Sequence, residues 1–257
     1  MERAIVTLSY VPVRSEPSEK SELVTQLLFG ELYEIIEENK NWLRIKNIYD
    51  NYEGWISSEC HFNNISDTQF INSLIDSELI INKKLIVAID LKNESLVYIS
   101  PGSVFYKKLF IDENIYKLYN NLLKIEMQNF ISYNDKEILL QFINTPYLWG
   151  GRTIFGIDCS ALVQIIFRIL GINLPRDAYL QYDFGSIVDS EADLKPYDVA
   201  FFGNTRITHT GILLNKTTIL HSSGKVCIDR FEMGRGIFNN STGQLSHKIV
   251  GVKRFLS

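Results

Sequence analysis

The sequence predicts an α+β fold: a domain with one buried helix on an antiparallel sheet, preceded by two small β-barrels. Three observations lead there. Residues 1–62 hold short strand patterns separated by polar turns at regular spacing, as small barrels do. The run Ala161-Leu162-Val163-Gln164-Ile165-Ile166-Phe167-Arg168-Ile169-Leu170 is apolar on nearly every side, so as a helix it must be covered on most faces. Behind it come five strand patterns, which an antiparallel sheet accommodates.

In the first segment the strands fall at 4–8, 23–28, 32–37, 42–45 and 54–56. Arg14-Ser15-Glu16-Pro17-Ser18-Glu19-Lys20 is a turn-rich loop, and Gly30 and Gly54 stand where a tight barrel turns a corner. With its Leu28-Phe29-Gly30-Glu31 turn and its late Gly54-Trp55, this stretch resembles a bacterial SH3-like domain. Residues 63–126 read as a second, diverged SH3-like barrel, in which 84–91 and 95–99 form a hairpin around Lys92-Asn93-Glu94. The third segment, 127–257, opens with a helix over 136–143 capped by Asn134 or Asp135 and stopped before Pro146. Asp158-Cys159-Ser160 then leads into the apolar helix, which Gly171 ends. Strands follow at 198–202, 210–214, 218–220, 226–231 and 248–255.

Composition narrows the function. The chain has 257 residues, 46% apolar and 22% charged, an ordinary globular balance. Its net charge of −4 without a Lys/Arg block argues against a nucleic-acid partner. No stretch reaches the uncharged length that crosses a bilayer, and the first residues lack a leader's apolar core. A cytoplasmic monomer is therefore expected, with a periplasmic or extracellular location as the alternative if a leader has been removed. Three scattered cysteines, 60, 159 and 227, make neither a disulfide framework nor a Cys-x-x-Cys zinc site.

Cys159 sits in the first turn of the apolar helix, where free N–H groups and the positive end of the dipole favour a thiolate. Helix N-termini and imidazolium neighbours lower thiol pKa values from about 8.5 to roughly 3.5–7.5, so an ionised sulfur is expected. Cys227 lies in an apolar strand pattern and reads as a core residue, and Cys60 lies beyond the first barrel. A base could come from His61, His209, His221 or His247. Around a three-residue loop at 215–217, Gly211 would face His221, and His209 would lie diagonally from His221 on the same sheet face. The residues thus allow a nucleophile Cys159, a base His209 and an orienting His221. They also allow a Cys/His/His zinc site, which is disfavoured because no further ligand stands at customary spacing near Cys159.

Residues 144–223 resemble the NlpC/p60 cysteine peptidases, a papain-like family that cleaves cell-wall peptides. The likeness rests on Thr145-Pro146-Tyr147-Leu148-Trp149-Gly150-Gly151, Asp158-Cys159-Ser160-Ala161-Leu162-Val163, Leu174-Pro175-Arg176-Asp177-Ala178, the run 194–202 and His209-Thr210-Gly211-Ile212. Ala161 and Thr210 replace the Gly and Val usual in the family. The resemblance implies Cys159 as nucleophile, His209 as base and His221 as the third, polarising residue. It implies no metal or organic cofactor. Tyr147, Asp158 and Ser160 match residues that line the family's cleft, and the Cys159 N–H would help form an oxyanion hole. By residue type alone, Tyr147 and Trp149 are equally core packing and Asp158 equally a helix cap.

Arg176-Asp177, together with barrels in front, resembles the γ-D-glutamyl-L-diamino-acid endopeptidases of this family, which require a free N-terminal L-Ala on a murein peptide. A carboxylate such as Asp177 at the end of a closed cleft binds an ammonium, and a barrel wall bearing Glu31 and Tyr52 would limit the cleft. The implied reaction is hydrolysis of the γ-D-Glu to diamino-acid bond in peptide recycling. Competing readings are an acyltransferase or amidase using the same pair, and a non-catalytic wall-peptide-binding module.

Overall fold

In the computed structural model, residues 2–61, 63–119, 121–125 and 134–256 are described. Two of the expected segment boundaries, at Phe62 and at 126–127, lie outside them. The chain divides into two compact units. One runs to Gln141 and takes in Gly150–Ile154; the other comprises Phe142–Trp149 and Phe155 onward.

The first unit begins with six strands: β1 (Glu2–Ile5), β2 (Tyr10–Arg14), β3 (Leu23–Leu28), β4 (Leu32–Asn39), β5 (Trp42–Asn47) and β6 (Glu53–Ser57). They form one sheet in the order β1-β4-β5-β6-β2-β3. Strand β2, containing Pro12, is the one the sequence pattern misses. It alternates exposure with burial and places Val11 and Val13 in a core with Val6, Leu27, Tyr33, Leu43, Ile45 and Ile56. Gly30 turns the corner between β3 and β4 at φ +79°, where an added Cβ would lie 1.9 Å from the Val104 carbonyl oxygen. Only glycine meets both demands.

The segment expected as a second barrel holds a helix as well as strands. Helix α1 (Thr68–Ile75) is capped by Asp67, whose carboxylate accepts from the N–H groups of Gln69 and Phe70. The strands are β7 (Glu78–Ile80), β8 (Ile86–Asp90), β9 (Leu96–Ile99), β10 (Val104–Tyr106), β11 (Ile115–Leu118) and β12 (Asn121–Lys124). They pair as a ribbon of β10 with β7 and a four-stranded sheet β11-β12-β8-β9. The β8–β9 loop is one residue longer than expected. The Asp90 carboxylate accepts from Lys92 N–H and Glu94 N–H donates to the Asp90 carbonyl, so Ser95 faces Asp90. Helix α2 (Asp135–Leu140), the expected opening of the third segment, has a capping box between Asn134 and Glu137; it and β13 (Arg152–Thr153) belong to the first unit.

The second unit contains β14 (Gly156–Ile157), α3 (Cys159–Ile169), α4 (Ala178–Tyr182), β15 (Ser186–Ile187), β16 (Val199–Gly203), β17 (Ile207–Asn215), β18 (Thr218–Ser223), β19 (Lys225–Glu232), β20 (Gly236–Phe238) and β21 (Leu245–Arg254). Its sheet runs β15-β21-β16-β17-β18-β19-β20, and β20 also pairs with β21, so six strands close on themselves. Every α3 residue from Cys159 to Arg168 is buried, as its all-round apolar pattern requires. The helix packs on β17 and β18, which sets the start of α3 over the strands that carry His209 and His221.

Candidate active site

Asp158 ends an extended segment and caps α3 by accepting from the Ala161 N–H at 2.8 Å. The cap starts the helix at Cys159, so the nucleophile candidate occupies the first helical position. Asp158 is itself held. Arg176 donates through Nη1 to Asp158 Oδ1 at 3.0 Å and to Ser160 Oγ at 2.9 Å, and its Nη2 meets Asp158 Oδ2. A bidentate pair of this kind is rigid and strong. Arg176 is buried, so it reaches Asp158 and Ser160 rather than solvent, and any effect on a ligand passes through them. Gln181 extends the clamp by donating to the Ser160 and Pro175 carbonyls.

The histidine register is the expected one, although the turn differs. Gly211 faces His221, yet the loop has two residues, Lys216 and Thr217, with Asn215 paired to Thr218. A bulge between Leu213 and Asn215 supplies the missing residue and restores the pairing. An added Cβ on Gly211 would lie 2.8 Å from the Cβ of His221, so the glycine makes room for the ring. His209 Nε2 and His221 Nδ1 are 2.8 Å apart, and His221 Nε2 is 3.1 Å from Asp229 Oδ2.

This chain of contacts sets the protons. A carboxylate only accepts, so His221 carries its hydrogen on Nε2 and presents a lone pair at Nδ1. His209 then donates from Nε2, which leaves its Nδ1 unprotonated and able to take a proton. The Cys159 thiol lies against the backbone N–H of Thr210, the residue after His209, and against that of Ser160.

Burial overrides the helix terminus at the sulfur. Cys159 is only 6% exposed, and its thiol is pushed up to about 12 by desolvation, with the Asp158 charge adding to the effect. The Thr210 N–H, the Arg176 charge and the Ser160 N–H act in the opposite sense and do not reverse it. The ionised resting thiolate expected from the sequence is thus corrected to a neutral thiol, because a covered site disfavours charge more than one helix end favours it. His209 is held well below the usual imidazole range by burial and by His247 and His221. The resting pair is neutral on both sides.

Two neighbours of the histidines escape the sequence reading. Asp229 is a buried polar residue within the apolar strand pattern of β19, a signal that calls for a partner. His247 stacks on His209 with ring centroids 4.1 Å apart and 22° between planes. Its register depends on a bulge between Ile237 and Phe238 that no local pattern announces. Cys227, expected in the core, is half-buried with its sulfur 3.6 Å from His221 Nε2.

The remaining predicted residues are divided between the two units. Tyr147 is half-buried, and its phenol is raised by desolvation and by the nearby Cys159 and Asp158. Trp149 is 59% exposed, so core packing is corrected for that residue. Asp177 is half-buried at the start of α4, where its side chain does not cap the helix. Glu31 and Tyr52 belong to the first unit. Tyr52 is half-buried. Glu31 is 1% exposed and holds Arg152 through both carboxylate oxygens, at 2.9 and 3.0 Å. Its expected place as a cleft-wall side chain is corrected to that of an internal ion-pair partner, because a buried carboxylate needs its charge matched.

The histidine cluster predicts acid sensitivity. Unfolded imidazoles titrate near 6.5, whereas burial holds His209 and His221 lower and brings His247 down to about 4. As the folded values are depressed, the stability from keeping these rings neutral is complete above pH ~6.5. It is lost as pH falls from there through the folded values, at up to about 1.4 kcal/mol per pH unit for each fully shifted ring. Urea unfolding at pH 7, 6 and 5 is expected to show this decline, and His247→Asn is expected to lessen it. A flat profile would contradict the neutral cluster.

Two family descriptions match separate stretches of the chain. The NlpC/P60 family matches residues 144–243 and the bacterial SH3 domain residues 9–60. Dipeptidyl-peptidase 6 of Lysinibacillus sphaericus is 27% identical over 246 residues, spanning 86% of this chain and 87% of that protein. Gamma-D-glutamyl-L-lysine dipeptidyl-peptidase of Bacillus subtilis is 40% identical over 85 residues, 32% of this chain and 28% of the relative; in that case the match spans less than a third of the relative's length. Among solved structures, an NlpC/P60 family protein from Bacillus cereus superposes with a TM-score of 0.82 at 17% identity, covering 99% of this chain and 100% of the other. That likeness is one of fold.

Proposed function

We propose that this chain, a cysteine peptidase of the NlpC/P60 family carrying a bacterial SH3-like domain, hydrolyses the bond after γ-D-Glu in murein peptides with a free N-terminal L-Ala. The observation that carries the reading is the chain of contacts from Asp229 through His221 to His209, with the Cys159 thiol against the Thr210 N–H. The names of the two relatives, both dipeptidyl-peptidases, support the bond and the two-residue product.

Cys159 attacks the γ-glutamyl carbonyl while His209 Nδ1 takes the thiol proton, so charge develops only as the new C–S bond forms. His221 accepts from His209 Nε2 and, with Asp229, stabilises the imidazolium. The Cys159 N–H at the start of α3 donates to the oxyanion. His209 returns the proton to the departing amine, and water then cleaves the thioester by the reverse use of the same base. Tyr147 and Ser160 contact the substrate, while Asp158, fixed by Arg176, shapes the cleft beside the sulfur. Asp177 accepts the L-Ala ammonium.

The deciding experiment compares L-Ala-γ-D-Glu-L-Lys with its N-acetylated form. The free peptide is expected to release L-Ala-D-Glu at least about tenfold faster, since a charge-assisted hydrogen bond from the ammonium is worth roughly 1.5–3 kcal/mol. Equal rates would remove Asp177 from recognition. No release from either would remove the γ-D-glutamyl specificity.

A further inference from the structure

Three side chains of metal-ligand type converge beside the histidine relay, on the side away from His209. His221 Nε2 is 3.1 Å from Asp229 Oδ2, and Cys227 Sγ is 3.6 Å from His221 Nε2 and 3.8 Å from Asp229 Oδ2. Around a tetrahedral zinc ion, with Zn–N and Zn–O near 2.0–2.2 Å and Zn–S near 2.3 Å, such atoms are spaced by about 3.3–3.6 Å. The trio therefore has nearly the spacing of a bound site. Its support is also in place, since the Asn240 N–H donates to Asp229 Oδ1 at 2.8 Å and leaves Oδ2 facing the other two ligands. Cys227 is half-buried, so an ion reaches the site from the solvent side with a position left for water. His209, His221 and His247 form a second cluster, but His209 and His247 are stacked 4.1 Å apart. Two near-parallel rings at that distance cannot both aim an in-plane lone pair at one ion.

We propose that His221, Cys227 and Asp229 form a regulatory site for a thiophilic divalent cation of the zinc class, and that its occupation switches the peptidase off. The inference rests on the reading of His221 as the residue that sets the tautomer of His209. An ion on His221 Nε2 takes the lone pair of that nitrogen, so the ring's proton moves to Nδ1. His221 then donates to His209 Nε2, and the proton of His209 moves to Nδ1, the position that must be empty to accept from Cys159. Cys227 gives up its thiol proton to solvent as its sulfur binds, which is the single proton lost per ion. No bond to Cys159 is made, and no electron is transferred.

The test uses Co2+ as a spectroscopic probe and Zn2+ as the inhibitor, with the full chain. One equivalent of Co2+ is expected to produce a thiolate-to-cobalt charge-transfer absorption that Cys159→Ala and Cys60→Ser retain and Cys227→Ser loses. Equimolar Zn2+ is expected to slow peptide cleavage by the unaltered chain at least about tenfold, and that of Cys227→Ser less than about twofold. An absorption that survives Cys227→Ser, or that vanishes in Cys159→Ala, places the ion elsewhere and overturns the site. Binding at Cys227 without loss of cleavage overturns the switch. A chain that cleaves none of the peptides defeats the functional reading alone, because the absorption arm still decides whether the site exists.

Discussion

Cys159→Ala is expected to lower kcat/KM on the free tripeptide by roughly 10⁴- to 10⁶-fold, the loss seen when a nucleophile that works with its base as a unit is removed. Within the second unit no other described cysteine can replace it. Cys227, the other cysteine of the second unit, lies beside Nε2 of His221 rather than beside His209. His209→Ala is expected to cost a similar factor, and the double variant little more than either single one, because each group is useless without the other. Folding should survive. Deleting one sulfur beneath the sheet removes little apolar contact, so the unfolding free energy is expected to fall by only about 1 kcal/mol. Residual cleavage within tenfold of the unaltered chain would exclude Cys159 as the nucleophile.

Breaking the Glu31–Arg152 pair is expected to have the largest effect on stability. Both residues are fully covered, and they are joined by two hydrogen bonds. Arg152 also donates to the Gln26 carbonyl and takes the Gln26 side-chain oxygen on its backbone N–H, while Glu31 accepts from the Leu28 N–H. Arg152→Met leaves a buried carboxylate without its cation, which costs about 3–5 kcal/mol. Replacing both partners, as Glu31→Leu with Arg152→Met, is expected to recover most of that loss, because two apolar groups leave no uncompensated charge. Urea unfolding read by Trp42 and Trp55 fluorescence in a Trp149→Phe background follows the first unit alone. A single variant as stable as its parent would show that the pair is solvated in solution.

Local chemistry made part of this molecule readable in advance. The start of α3 could be placed because Asp158 is a capping residue directly before an apolar run. The pairing of Gly211 with His221 agrees with the sequence although the expected three-residue tip does not, because the bulge between Leu213 and Asn215 offsets the shorter turn. Helix α1 was equally within reach, since Asp67 precedes Thr68-Gln69-Phe70-Ile71 in the same manner, but the neighbouring strand patterns drew the whole segment into a barrel. What stayed hidden depends on distance along the chain or on burial. Glu31 and Arg152 are 121 residues apart, and nothing around either announces the other. His247 reaches His209 through strand pairings interrupted by bulges. The neutral state of the Cys159 thiol is not legible either, because a helix start is visible in a sequence, whereas the cover over it is not.

The bulge at Leu214 separates the hairpin's tip from its working end. Were that residue deleted, Leu213 would run directly into Asn215, and the ladder from Gly211 opposite His221 out to the Lys216–Thr217 tip would become continuous with no change in which residues face each other. Lengthening or shortening on the other arm, between Thr218 and His221, would instead rotate the second imidazole out of reach of the first. The bulged arm can therefore lose one residue without moving the histidines, and the other arm cannot.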